Sequence, residues 1–409
     1  MDFSKGSLPI TSETPRVIQD IRCTQACEVP DIINGFVEVL KTKSQHHMGY
    51  PYNLGFDYGD LVEKLGKFSI NNLGDPFIES NYGVHSRSFE IAVLDWFADL
   101  WSIGRQEYWG YVTACGTEGN LQGIYMGREN LSKTNCDYDD IMLLASCESH
   151  YSVFKAAKMY CIHHEMVYSN PDGSINLEDF KGWVDLCVSA GKKIIVNVNI
   201  GTTMKGGVDD LDGVVDVLRG AGMKDDEFYI HCDGALAGIM IGLLEAGRDI
   251  LSFSTKPIGS ISVSGHKFIG SPVPCGVFVT RLRNIEVLSS NVDYINSRDA
   301  TIMGSRNGHA ALYIWYALVH KGIAGLRKDV QECISNARFL ADAMDARGVE
   351  DVFLGPLSCT VVFKAPSDAL LVHKWQLACS GGLAHVVVMP NLTQERLLEF
   401  VEEYYLSTK

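Results

Sequence analysis

Short apolar runs alternate with amphipathic stretches through the middle of this chain. Between about Asn71 and Lys321 the runs are Ile141 to Ala145, Lys193 to Val198, Phe228 to His231, Ser260 to Val263 and Gly276 to Thr280, with stretches of helical period between them. A run that is apolar at successive positions fits a strand buried on both faces, and strands alternating with helices build a mainly parallel sheet covered by those helices. Ahead of this block, Glu28 to Phe68 reads as helical, with a loop from His46 to Asn53. Beyond about Gly322 the character changes to a helix at Leu326 to Arg347, β-type runs at Ser358 to Phe363 and His385 to Met389, and a closing helix from Thr393. The pattern predicts an N-terminal segment (1–70), a large α/β domain (71–321) and a small C-terminal α+β domain (322–409).

Composition narrows the function classes. With 409 residues, 46% of them hydrophobic and 21% charged, the chain has material for a large core and a smaller one. A net charge of −15 without a basic cluster repels nucleic acid and anionic lipid, so neither is an expected partner. The 12 cysteines are scattered, mostly in apolar stretches, and no CxxC pair occurs. Cys23 and Cys27 lie one helical turn apart without a matching second pair, so no metal site is expected, and reduced thiols are the simplest account. Met1 to Pro9 has no apolar leader core and no run approaches the ~18 apolar residues of a spanning helix. The expected compartment is the cytoplasm.

The chemistry concentrates just past the predicted strands, where open α/β sheets bind ligands. Asp233 follows Phe228-Tyr229-Ile230, Thr202 and Thr203 follow Ile194-Ile195-Val196, and Lys267 follows Ile261-Ser262-Val263. A lysine can carry an aldehyde cofactor covalently, while a carboxylate can keep a pyridine nitrogen protonated so that the ring withdraws electrons, and this pair is what pyridoxal phosphate chemistry requires. Alone, the pair reads equally well as a surface Lys-His step and an Asp-Gly turn. Gly116-Thr117-Glu118-Gly119-Asn120 between a strand-like segment and a helix is either a phosphate site at a helix N-terminus or an ordinary capped turn. His150, at a helix entry, is a cap or a ring-stacking imidazole. Tyr294 and the polar stretch Ser297 to His309 form either a binding segment or a solvated connection.

Together with Asn71-Asn72-Leu73-Gly74-Asp75-Pro76-Phe77, Ser149-His150-Tyr151-Ser152 and Asn199-Ile200-Gly201-Thr202-Thr203, these motifs resemble the group II pyridoxal-phosphate-dependent amino acid decarboxylases. The likeness covers about residues 35–405 and is greatest to the plant-type serine and histidine decarboxylase branch. It implies fold type I, the aspartate aminotransferase-like architecture, with a mainly parallel seven-stranded sheet in the large domain, and a homodimer whose active sites lie at the interface. It further implies that Lys267 carries pyridoxal 5'-phosphate, Asp233 pairs with the pyridine nitrogen, His150 stacks on the ring and Ala235 packs on its other face. Gly116, Thr117 and His266 would neighbour the phosphate, Thr202 the ring, and Ser305 would come from the second subunit. Tyr294 matches a mobile-loop tyrosine that returns a proton to the product; in related aldehyde synthases a phenylalanine stands there, so tyrosine favours simple amine formation. The loop His47-Met48-Gly49-Tyr50-Pro51 matches the substrate segment, with Tyr50 and His47 as substrate contacts. L-Serine to ethanolamine fits this loop best. L-Histidine to histamine, L-alanine to ethylamine, aldehyde formation or transamination on the same scaffold, and a non-catalytic relative are the alternatives.

Overall fold

The computed structural model describes residues 25–133 and 137–407. Cys23 and the segment Met1 to Pro9 lie outside the described residues. Seven strands, β1 (Tyr108–Thr113), β2 (Ile141–Ser146), β3 (His163–Val167), β4 (Lys193–Asn199), β5 (Phe228–Asp233), β6 (Ile258–Ser264) and β7 (Gly276–Arg281), form one sheet in the order β1-β7-β6-β5-β4-β2-β3. Only β7 runs against its neighbours, so β1 to β6 all end at the same edge. Alternate side chains serve two cores: Ile194, Val196 and Val198 of β4 join one, Ile195 the other. Burial on both faces accounts for the unbroken apolar runs.

The helices are α1 (Val29–Gln45), α2 (Leu61–Leu65), α3 (Arg87–Leu100), α4 (Gly116–Ser132), α5 (Tyr151–Met159), α6 (Leu177–Ser189), α7 (Leu211–Gly220), α8 (Ala237–Leu243), α9 (Gly308–Asp345), α10 (Ala369–Trp375) and α11 (Gln394–Ser407). A hairpin of β8 (Ser290–Val292) and β9 (Ser297–Asp299) precedes α9. Beyond α9, β10 (Phe353–Leu354), β11 (Thr360–Lys364), β12 (Ala378–Ser380) and β13 (Leu383–Val387) make an antiparallel sheet in the order β10-β11-β13-β12.

Several local expectations are corrected. The loop after α1 runs on to Asp60, and only Leu61–Leu65 beyond it is helical. Asn53 explains why: its backbone N–H donates to the Lys267 carbonyl (3.0 Å) and its amide to that of Phe268 (3.1 Å), so tertiary bonds hold the segment extended. α9 begins at Gly308, capped by the Asn307 side chain, which accepts from His309 N–H, well ahead of the expected start at Leu326. It breaks at Gly322 (φ 61°, ψ 170°), where the sequence pattern changes. The edge strand β3, with mostly exposed side chains, had no apolar run to announce it. Of the ten described cysteines, all free, five are buried and Cys27, Cys147, Cys161 and Cys379 are exposed, so they are less interior than their apolar neighbours implied.

Candidate active site

The shared edge where β1, β4, β5 and β6 end opens into a cavity of about 490 Å³. Its walls come from the start of α4, from the residues after β4, β5 and β6, from the loop Gly49 to Tyr52, and from Leu357 to Thr360, His385 and Val387 of the small sheet. Of the residues expected from sequence, Gly116, Thr117, His150, Thr202, Asp233, Ala235, His266, Lys267 and Tyr50 all line it.

Asp233 is the last residue of β5 and is buried. One carboxylate oxygen accepts from Asn120 Nδ2 at 2.6 Å, the other from Ala235 N–H at 3.1 Å. Burial lowers the Lys267 pKa against the opposing pull of Asp233, which favours the neutral, nucleophilic amine. His150 caps α5, its Nδ1 2.7 Å from Ser152 Oγ, and burial likewise lowers its pKa. Thr202 Oγ accepts from Gly207 N–H at 2.9 Å, which leaves the hydroxyl proton free to donate. His266 Nδ1 lies 2.8 Å from the Cys275 carbonyl, fixing the ring beside the lysine.

The first turn of α4 has no side-chain cap, and a Cβ at Gly116 would meet Ser264 Oγ at 2.6 Å and Ala235 Cβ at 3.4 Å. Only glycine leaves room for a group to approach those backbone donors. An uncapped helix N-terminus for a phosphate, a lysine for an aldehyde and a buried carboxylate for a ring nitrogen form a donor set that fits pyridoxal phosphate.

Three expected residues do not line this cavity. His47, in the same loop, is absent from the cavity lining, its ring 5.5 Å from Tyr52 and 5.8 Å from Tyr50. Ser305 is exposed, its hydroxyl accepting from Asn71 Nδ2 at 3.1 Å. Tyr294 sits at the turn of the β8–β9 hairpin, 82% exposed.

Sequence reasoning missed others. Tyr52 lines the cavity with its ring 5.7 Å from His266. Asn120 lies one helical turn beyond Gly116, a spacing that would have placed it on the same face of α4. His385, 2% exposed, ties three segments together, with Nδ1 2.9 Å from the Met204 carbonyl and Nε2 2.9 Å from that of Gly49. A histidine opening an apolar run was its only trace in the sequence. Among the described residues no cluster of metal-ligating side chains occurs, and no helix is long and apolar enough to cross a membrane.

Comparisons with known proteins bear on this site. Residues 23–366 match the pyridoxal-dependent decarboxylase conserved domain. The chain is 56% identical to serine decarboxylase 1 of Oryza sativa subsp. japonica, over 89% of this chain and 73% of that one. It is 44% identical to a histidine decarboxylase of Solanum lycopersicum, over 92% of this chain and 88% of that one. A crystallised variant of L-methionine decarboxylase from Streptomyces sp. 590 superposes with a TM-score of 0.85 at 25% identity, covering 95% of this chain and 97% of that one. That agreement fits the fold type I architecture expected from the motifs. The chain belongs to the pyridoxal-dependent decarboxylases, carboxy-lyases that use pyridoxal 5'-phosphate.

Proposed function

We propose that this enzyme converts L-serine to ethanolamine and carbon dioxide. The observation that carries the reading is identity of 48–56% to three rice serine decarboxylases, above the 44% to the tomato histidine decarboxylase. The cavity is consistent with a small polar substrate, because Tyr50, Tyr52, Ser358 and Thr360 bring hydroxyls to its walls.

When bound, the coenzyme supplies an electron sink for the pair released as the Cα–carboxylate bond breaks. The residues proposed to hold it are Lys267 at the aldehyde carbon, Asp233 at the pyridine nitrogen, Gly116, Thr117 and His266 around the phosphate, and Thr202 beside the ring. His150 and Ala235, which both line the cavity, would contact the ring. Asp233, its carboxylate accepting from two N–H donors, would hold a proton on the pyridine nitrogen. Tyr50, with the His47 ring tilted against it at 5.8 Å, orients the substrate side chain. The small sheet closes the far wall and keeps water from the carboxylate to be lost.

Tyr294 donates the proton that replaces the carboxylate at Cα, and in this reading it and Ser305 serve the cavity of a second copy. One face of α1 supports a homodimer: Val29, Ile33, Phe36, Val37 and Leu40 share a stripe and are 39–53% exposed. Exposed free thiols at Cys27, Cys147, Cys161 and Cys379 fit the reducing cytoplasm.

Purified enzyme offered each of the twenty amino acids, with released carbon dioxide and amine both measured, tests the substrate. Serine should dominate; histidine as the preferred substrate would overturn the assignment, and aldehyde with hydrogen peroxide in place of amine would overturn the reaction. Lys267→Ala should lose both the yellow colour and turnover. Phe36→Glu should yield a monomer of negligible activity by light scattering and assay, and an active dimer would remove α1 from the interface.

A further inference from the structure

We propose that Asn120 is a positioning residue that fixes His150 in the tautomer bearing its proton on Nε2, by passing the polarity of the Asp233 carboxylate along one buried hydrogen-bonded chain. The inference rests on the reading of Asp233 and His150 as coenzyme-facing groups, while the network itself belongs to the polypeptide.

Asn120 is 1% exposed and uses its full hydrogen-bonding capacity. Its Nδ2 lies 2.6 Å from Asp233 Oδ2 and 3.0 Å from Ser152 Oγ. Its Oδ1 lies 2.9 Å from Ser262 Oγ and 3.0 Å from His231 Nε2. An ionised carboxylate only accepts, so the amide nitrogen must face Asp233, and this settles which way the amide is turned.

Two consequences follow by counting donors. On the oxygen side, Oδ1 accepts from both neighbours, so His231 carries its proton on Nε2 and its Nδ1 accepts from Ser260 Oγ at 2.9 Å. On the nitrogen side, Ser152 Oγ accepts from Asn120 and must send its own proton elsewhere. The acceptor it meets is His150 Nδ1 at 2.7 Å, which also faces the Ser152 backbone N–H at 3.3 Å. Two donors converge on Nδ1, leaving the proton of a neutral His150 on Nε2. His150 therefore brings an N–H donor to the cavity it lines, and Asp233 and His150 are coupled through the Asn120 amide and the Ser152 hydroxyl.

Long-range proton–nitrogen spectra of histidine-labelled enzyme, loaded and coenzyme-free, test this, with the His150 signal assigned from a His150→Asn variant. Expected is a lone-pair nitrogen at Nδ1 and a protonated nitrogen at Nε2 in both forms. Asn120→Ala should average the two His150 nitrogens toward mixed tautomers and weaken coenzyme binding about tenfold in an absorbance titration. Should that variant not fold, Ser152→Ala removes only the hydroxyl link and should produce the same averaging with Asp233 intact. A proton on Nδ1 in the parent enzyme, or an unchanged His150 signature in a folded variant, overturns the proposal. Failure of the parent chain to take up pyridoxal phosphate would instead strike the site reading, and the coenzyme-free spectra would still decide the tautomer.

Discussion

Replacing Gly49 with alanine should disable the loop proposed to contact the substrate while sparing the proposed coenzyme site. A Cβ at Gly49 would lie 2.2 Å from the Gln376 carbonyl oxygen, 2.5 Å from Ala378 N and 2.6 Å from Leu377 Cα. All three are backbone atoms and cannot turn aside, so loop and small sheet must part by about 1 Å to reach ordinary contact. Overpacking typically costs ~1–3 kcal/mol, and a backbone clash belongs at the upper end. Separation also stretches three anchors: Met48 N–H to the Trp375 carbonyl (3.3 Å), Val387 N–H to the Met48 carbonyl (2.9 Å) and His385 Nε2 to the Gly49 carbonyl (2.9 Å). Each such bond contributes ~1 kcal/mol. Local destabilisation of about 3 kcal/mol is enough to shift the loop population by roughly a hundredfold, at ~1.4 kcal/mol per tenfold. Because Tyr50 rides on this loop and Lys267 does not, KM should rise at least about tenfold while the coenzyme absorbance is retained. Steady-state kinetics with thermal unfolding make the assay, and Gly182→Ala is the control. Gly182 lies inside α6 with nothing within 4 Å of its missing Cβ, so that change should stabilise by ~0.5–1 kcal/mol. A Gly49→Ala enzyme matching the parent in both KM and unfolding midpoint would refute the reasoning.

Three further outcomes are expected. Burial pushes the His231 pKa down to about 4. The unfolded chain therefore takes up this proton first as pH falls through about 6.5, so the stability is full above that value and on the order of 3 kcal/mol is lost by about pH 4. Denaturant unfolding at several pH values should show a steeper acid decline for the parent than for His231→Gln, and equal slopes would discount the buried imidazole. Burial keeps the His385 ring neutral with a single N–H to give to the Met204 or Gly49 carbonyl, so His385→Ala removes one hydrogen bond, and at about 1.4 kcal/mol KM should rise about tenfold with little change in kcat; an equal fall in both kinetic constants would mean that the clasp does not act through substrate binding. Burial lowers the Lys267 pKa, so the rate at which coenzyme-free enzyme captures pyridoxal phosphate should reach its half-maximum below the ordinary lysine value near 10.5, whereas a midpoint at that value would place the amine in solvent.

The parts legible in sequence were those written by short-range rules. The runs feeding β2, β4, β5, β6 and β7 are apolar because both faces are covered, and residues just past strands lie at one edge by topology alone. The motifs around Gly116, His150, Asp233 and Lys267 could therefore be placed before any coordinates. The rest depended on contacts distant in sequence. Asn53 is held extended by Lys267 and Phe268, and Phe56 and Tyr58, read as helical, instead pack on Tyr316 and Tyr313 of α9. His385 gains meaning only when β13 meets the Gly49 loop and the turn after β4. Tyr294 and Ser305 could be recognised as motif positions, but both stand exposed and away from the cavity lining.

The cavity wall proposed to receive the substrate side chain belongs to neither lobe alone. Asn53 ties one end of the loop to the lysine-bearing turn of the large sheet, while Met48 and Gly49 are bonded to the small sheet through Val387 and His385. Tyr50 and Tyr52 therefore sit on a strap stretched between two bodies, whereas Lys267, Asp233 and His150 are all anchored in one. Changes in how the small sheet seats would move the Tyr50 and Tyr52 hydroxyls relative to Lys267, Asp233 and His150 and leave the latter in register. Relatives can in this way keep one set of catalytic residues and differ in the amino acid they accept, and specificity-altering substitutions should be sought in the strap and its anchors before the strand ends.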